Sequence, residues 1–516
     1  MPPLSRRDFL KLIGAGAVAA TAGGALGRRL RDPSQIARLS STPSPWPGTP
    51  EVEIALTAAQ DEVPLWPGAP TQVWRYRGAV LQGPSAALQT LPASYQDPIV
   101  RVRRGQRIRV HFSHQLPEET IVHWHGLHVP ERDDGHPRWA IPAGRTYTYA
   151  FTVLDRAGTY WFHPHPHGRT GPQVYRGMAG LFLVSDAEEE ALGLPSGAYD
   201  LPLVLQDRRF DEANQLLYLD RGRMAPRVGF LGDTILVNGT PEFTLSVATR
   251  PYRLRLLNGS NARIYKLAWA HGVPLTVIGT DGGLLDAPVQ KDVVTLAPAQ
   301  RVELWVDFGR YPVGTQLQML SLPHGAPGGN ASFPVFTVAV ERKAAGGEPL
   351  PASLTALHLE RESEAVNAGH PRTFALTGGM GRGWAINGRS FEMTAVAPDE
   401  VVRLGDLEVW RLVNRPRGRG GGMGGGNAMN LPHPMHVHDL QFQILRRKVN
   451  PAWRSLWETL APGFVDQGWH DTVVVMPGEQ VDLLLKFRDF QGLFLYHCHN
   501  LEHEDRGMMR NYRVVA

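Results

Sequence analysis

The feature that most restricts the fold of this chain is a rhythm. Short runs of alternating apolar and polar residues, each closed by a glycine or proline turn, come round three times. PIVRVRRGQRIRVHFSH (Pro98 to His114) runs on into TIVHWHGLHV. TRPYRLRLLNGSNARIYKLAW (Thr249 to Trp269) has the same beat, and LGDLEVWRLVN (Leu404 to Asn414) leads, after an insertion, to HPMHVHDLQFQIL. Each unit later closes on a turn and further strands: AGRTYTYAF with GTYWFHPH, PAQRVELWVDF alone, and PGEQVDLLLKF with GLFLYHCH. Period-two alternation belongs to strands with one buried face, and 55 glycines and 42 prolines supply the turns between them. A chain of 516 residues is too long for one core, and at roughly 150 residues per domain it divides into about three. The expectation is an all-β protein of three related Greek-key β-sandwich domains.

Composition shifts place the joints. SDAEEEALGLPSG (Ser185 to Gly197) separates the first unit from the second, and ERKAAGGEPLPAS (Glu341 to Ser353) the second from the third. The domains are therefore expected at 46–187, 195–345 and 355–516. Residues 1–45 are set apart as a targeting segment and linker. SRRDFLK (Ser5 to Lys11) precedes the modest apolar stretch Leu12 to Leu26, a pattern that resembles a twin-arginine export signal. Its 15 residues are too few to span a bilayer comfortably, so cleavage is expected between Ala22 and Gly27. No later apolar run approaches membrane length. The expected product is a soluble monomer with no stable membrane anchor, exported folded by the twin-arginine machinery to the periplasm or beyond the cell. The net charge is only +4 and no Lys/Arg block accompanies it, which argues against nucleic acid as a partner.

Most of the 20 histidines fall in four clusters: HWHG (His123, His125), WFHPHPHG (His163, His165, His167), HPMHVH (His433, His436, His438) and HCHNLEH (His497, His499, His503). Residues i and i+2 of an extended segment project from one face, so each His-x-His aims two imidazoles at one point. Four such pairs, two from each terminal domain, supply eight imidazoles to a shared interface. Imidazole-rich sites suit copper or zinc, whereas calcium and magnesium take oxygen. Cys498, the single cysteine of the chain, falls on the opposite strand face from His497 and His499. It is therefore available to a second metal site. Together with His433, His503 and Met508 it makes a His2Cys set with a weak thioether, the ligand set of a blue-copper centre.

On these motifs the chain resembles the three-domain multicopper oxidases, a family that includes laccases, bacterial cuprous oxidases and bilirubin oxidases. The resemblance implies three cupredoxin domains and four copper ions. Carried over residue by residue, it implies a type 1 copper on His433, Cys498, His503 and Met508. It further implies a type 2 copper on His123 and His436, and two type 3 coppers on His125, His163, His165, His438, His497 and His499. His167 is left outside the copper set. The implied reaction takes four electrons singly from a small-molecule reductant and passes them through Cys498 to a trinuclear cluster, where O2 becomes two waters. Two acids match the family's proton donors: Asp134, with Asp133 as its rival, and Glu504.

The substrate is read from the segment Arg415 to Pro432, rich in glycine, which ends at His433. Met380, Met423 and Met429 could offer thioethers to Cu(I), but no methionine-dense helix precedes His433. That favours a laccase-like oxidase of phenols and aromatic amines over the alternative, a metallo-oxidase of Cu(I), Fe(II) or Mn(II). A non-catalytic cupredoxin scaffold is disfavoured because every ligand position is filled.

Overall fold

The computed structural model describes residues 48–516, apart from 92–93, 221, 223–224, 380–382 and 416–429. The twin-arginine segment and its cleavage region lie outside the described residues, as do Met380, Met423, Met429 and most of the glycine-rich segment.

The described residues form six sheets, which fall into three face-to-face pairs. In the first pair, a four-stranded sheet runs in the order Thr71–Gln82, Val52–Val63, Arg107–His114, Thr146–Thr152. It packs on a five-stranded sheet that ends Gly180–Ser185, Gly158–Pro164, Val122–His125. The second pair joins a seven-stranded to a five-stranded sheet, and the third joins two sheets of five. Parallel neighbours far apart in sequence, such as Val52–Val63 beside Arg107–His114, mark the Greek-key crossings. The architecture is all-β and cupredoxin-like.

Alternation drives each sandwich. Arg107–His114 buries Ile108, Val110, Phe112 and His114, while between them Arg109 and Ser113 are half-buried and His111 is buried. Each pair of sheets closes on its own core: Trp124, Tyr149 and Phe162 in the first, Tyr252, Leu254 and Leu304 in the second, Trp410, Leu483 and Phe494 in the third.

One connection does more than link. In the Ser185 to Gly197 segment, Asp186 caps a short helix, Ala187–Glu190, by accepting from the Glu189 amide at 2.8 Å. That helix carries Glu189 into a buried ion network with Arg253 and Arg255 of the second sandwich, which also pair with Glu303 and Asp200. Such a network costs desolvation but fixes one relative placement of the sandwiches, because each guanidinium is held by more than one carboxylate. Among the described residues, no helix is long and apolar enough to cross a membrane.

Candidate metal centre

The histidine pairs lie where the first and third sandwiches meet. Val122–His125 pairs antiparallel with Gly158–Pro164, setting His123 opposite His163. His433–Val437 pairs antiparallel with Gly492–Cys498, setting His436 opposite His497 and Met435 opposite Cys498. Strand geometry alone covers only part of this arrangement, since His165, His438 and His499 lie just past their strand ends. The ladder continues one step further to hold them: the His165 amide donates to Ile121 O at 2.9 Å, and the His438 amide to Leu495 O at 3.0 Å. Both members of each pair thus stay on one face.

All eight imidazoles are fully buried and converge. Nε2 of His123 lies 3.3 Å from that of His436, and Nε2 of His163 lies 3.4 Å from that of His499. Nε2 of His497 lies 3.3 Å from that of His165 and 3.0 Å from that of His438. Two nitrogens bound to one ion, each about 2 Å from it, sit at such separations. Hydrogen bonds fix the outer nitrogens of His123, His436 and His438 and so set ring orientation and tautomer, whereas Nδ1 of His165 and of His499 is buried without a hydrogen-bond partner. His123 Nδ1 donates to Asp134 O (2.7 Å), His436 Nδ1 to Asp471 O (2.8 Å) and His438 Nδ1 to the Asp134 carboxylate (2.8 Å). His125 is turned the other way: its Nε2 faces Asp471 Oδ1 at 3.1 Å, leaving Nδ1 buried and without a hydrogen-bond partner.

A second group sits on the far face of the Cys498 strand. Cys498 Sγ lies 3.5 Å from His433 Nδ1 and 3.7 Å from His503 Nδ1, and the two nitrogens are 3.3 Å apart. Met508 is fully buried. Its backbone clasps both neighbours, accepting from the Cys498 amide and donating to His503 O, each at 2.9 Å. Trp384 packs tilted against His503 with ring centroids 3.9 Å apart and meets His433 edge-on at 5.3 Å. His503 Nε2 is capped by the carbonyl of Arg227 at 2.9 Å, a group supplied by the second sandwich.

Burial prepares these ligands. It pushes His433 down to about 3. Burial, reinforced by neighbouring imidazoles, drives His125, His163, His165, His436, His438, His499 and His503 well below the usual histidine range. These rings are neutral at physiological pH, so protons compete little for their lone pairs. Burial acts oppositely on Cys498, raising its thiol far above the usual range. A bound metal cation would stabilise its thiolate there.

Family models described as multicopper oxidase match residues 73–189 and 365–516. A laccase of Bacillus stratosphericus is 31% identical over 498 residues, covering 86% of this chain and 91% of its own. The chain is a multicopper oxidase. It is an oxidase that takes O2 as acceptor, and copper is the metal its donor set fits. The McoA multicopper oxidase of Aquifex aeolicus superposes with a TM-score of 0.76 at 34% identity, over 91% of this chain and 97% of that one. The metallo-oxidase of Campylobacter jejuni superposes at 0.71 with 26% identity, over 90% and 91%.

Within this oxidase the two candidate acids touch the histidine cluster. Besides its bonds to His123 and His438, Asp134 brings Oδ1 within 3.3 Å of His123 Nδ1. Glu504 lies 3.2 Å from His497 Nδ1 and 3.6 Å from His165 Nε2. Asp133, the rival, turns away and accepts from the Ala150 amide at 2.7 Å. His167 is exposed and packs on Phe391, outside the cluster. Asp471, Arg301, Arg227 and Trp384 were not legible as site residues. The one signal was an acid, Asp471, set directly before the apolar run TVVV of Thr472–Val475.

Asp133 yields a pH prediction that separates it from Asp134. Desolvation raises its carboxyl from 3.8 to about 7. A raised carboxyl favours the native state below the unfolded value, and that contribution is lost as pH climbs from about 3.8 to about 7. Asp133→Asn keeps an acceptor for Ala150 and abolishes the loss. The variant is expected to match the parent near pH 4 and exceed it by up to about 4 kcal/mol above pH 7, read by denaturant unfolding at both pH values. O2 turnover should stay at the parental level.

Proposed function

We propose that the protein is an exported, laccase-like oxidase holding four coppers. His433, Cys498, His503 and Met508 hold one of type 1. His123 and His436 hold one of type 2. The six remaining imidazoles hold two of type 3, in the sets His125, His163, His499 and His165, His438, His497. The observation that carries the reading is the covalent adjacency of Cys498 to His497 and His499: Cys498 sits with His433 and His503, while His497 sits with His165 and His438 and His499 faces His163.

Bound copper supplies the reversible one-electron chemistry that side chains lack, so that four single oxidations match the four electrons O2 needs to become two waters. The chain supplies the rest. His497 and His499 flank Cys498 through peptide bonds, the shortest link the backbone allows between two ligand groups. Apolar neighbours such as Met435, Val437 and Trp384 exclude water from the thiolate side. Asp134 and Glu504 are placed to hold and pass the protons that O2 reduction consumes. Asp134 also orients His123 and His438 through their Nδ1 protons.

Phenols and aromatic amines are the proposed reductants. The Arg227 carbonyl occupies the outer nitrogen of His503, which leaves the His433 side as the edge where an organic reductant reaches the site. The second reading, a metallo-oxidase of Cu(I), Fe(II) or Mn(II), draws support from the likeness to the Campylobacter jejuni enzyme. Ser5 to Lys11 and the apolar stretch after it support export by the twin-arginine route to the periplasm or beyond, as a monomer.

Copper analysis and O2 uptake test this together. About four coppers per chain and a strong blue colour are expected, the thiolate–copper signature. O2 uptake should be faster with a substituted phenol than with Cu(I). Faster uptake with Cu(I) would establish the second reading, and a colourless, copper-free protein after loading would overturn both.

A further inference from the structure

The second sandwich contributes none of the His, Cys or acidic side chains of the candidate metal sets among the described residues. It nevertheless reaches the histidine cluster through one fully buried side chain, Arg301, at the head of the strand Arg301–Asp307. Every donor of this guanidinium is used. Nε donates to Thr159 O of the first sandwich at 2.9 Å, and Nη1 and Nη2 donate to Ala299 O and Asp281 O of the second, each at 3.0 Å. Nη1 also donates to Asp471 Oδ1 of the third at 2.8 Å, and Nη2 to Asp471 Oδ2. Three sandwiches therefore meet on one planar fork, and a planar fork binds a carboxylate in one orientation only.

The carboxylate so held faces two rings of the cluster. Asp471 Oδ1 lies 3.1 Å from His125 Nε2 and also accepts from Thr472 Oγ1 at 2.9 Å, while the Asp471 carbonyl accepts from His436 Nδ1 at 2.8 Å. A carboxylate can only accept, so the His125 proton sits on Nε2 and the lone pair on Nδ1. The chain around the pair leaves no slack. Gly126, directly after His125, has φ +89°, and a Cβ there would collide with the Asp471 carboxylate and the Arg301 guanidinium.

We propose that Arg301 and Asp471 are positioning residues of the O2-reducing site: the second sandwich, through this bidentate pair, fixes the ring and tautomer of His125 and the orientation of His436. The inference rests on the copper placement proposed above, and it assigns the middle sandwich a role in metal retention. Outer partners of metal-bound histidines typically tune affinity by about 10- to 100-fold.

Two variants test it in the copper-loaded, full-length protein. Arg301→Lys keeps the charge but not the fork. The double variant Arg301→Met with Asp471→Asn removes both charges, so neither is left buried and alone. Copper is titrated out with chelators of graded strength while blue absorbance is followed. In both variants the coppers of the histidine cluster are expected to leave at about 10- to 100-fold lower chelator strength. The blue absorbance of the Cys498 site should be unchanged, a split that a general loosening of the fold would not give. Cluster coppers retained at parental affinity, or blue and cluster coppers lost in step, would overturn the proposal. A parent protein that binds no cluster copper would instead overturn the copper placement on which it rests.

Discussion

Cys498→Ser is expected to give a folded protein with no blue colour, one copper fewer per chain, and O2 uptake with any reductant reduced by about a thousandfold or more. A serine hydroxyl stays protonated under conditions where a metal-bound thiol does not, so it offers copper neither charge nor soft sulfur. His433, His503 and Met508 remain but lack the anionic ligand that completes the set. The fold should survive. Cys498 is fully buried among apolar neighbours and its sulfur faces the Asn500 amide at 3.4 Å, a donor the serine oxygen can also meet. Placing a hydroxyl there costs about 1–2 kcal/mol, a shift of a few degrees in thermal midpoint for a protein this size. His497 and His499 are untouched, so the cluster coppers should be retained. Absorbance, copper per chain and O2 uptake on one preparation decide it. Persistence of the blue band would mean that the thiolate lies elsewhere than this strand places it.

That expectation was within reach of the sequence because, His433 apart, what it needs is local. Alternation put His497 and Cys498 on opposite faces, and spacing put His503 and Met508 within one turn and one return strand. The same locality made the three sandwiches legible, since each core is built from alternating runs such as Ile108, Val110 and Phe112. The supports of the site were not local. Arg301 and Asp471 are 170 residues apart, and Arg227 meets His503 across 276. Single charged residues on strands carry no mark of inward or outward facing until the neighbouring domain is in place. Glu189 shows the same limit, since a stretch rich in acids and glycine reads as a solvated linker although one of its carboxylates is buried against two arginines.

Burial treats the two kinds of ligand oppositely, and this bears on how the sites fill. Burial holds six of the cluster imidazoles, those of His125, His163, His165, His436, His438 and His499, neutral before any metal arrives, whereas the thiol of Cys498 is held protonated by its apolar surroundings. Binding at the histidine cluster therefore displaces few protons, while binding at the Cys498 site must release one. Copper uptake at the Cys498 site is the more pH-sensitive of the two.

Glu504→Gln separates the arrival of electrons from the consumption of protons. Glu504 lies within reach of His165 and His497, two members of one set of three imidazoles, and among the described residues it makes no ion pair with a Lys or Arg side chain. Glutamine has the same shape and can still accept a hydrogen bond, but it cannot shuttle a proton. The ligand geometry should hold, and the copper content and blue absorbance should match the parent. Reduction of the blue site by a phenol in the absence of O2 should keep its rate, because that step needs no proton at the cluster. Reoxidation by O2 should slow by about 10²- to 10⁴-fold, the usual contribution of a positioned acid. Stopped-flow absorbance reads both halves, bleaching without O2 and recovery after mixing with it. Recovery at the parental rate would remove Glu504 from the proton path and leave Asp134, 2.8 Å from His438 Nδ1, as the acid that carries it.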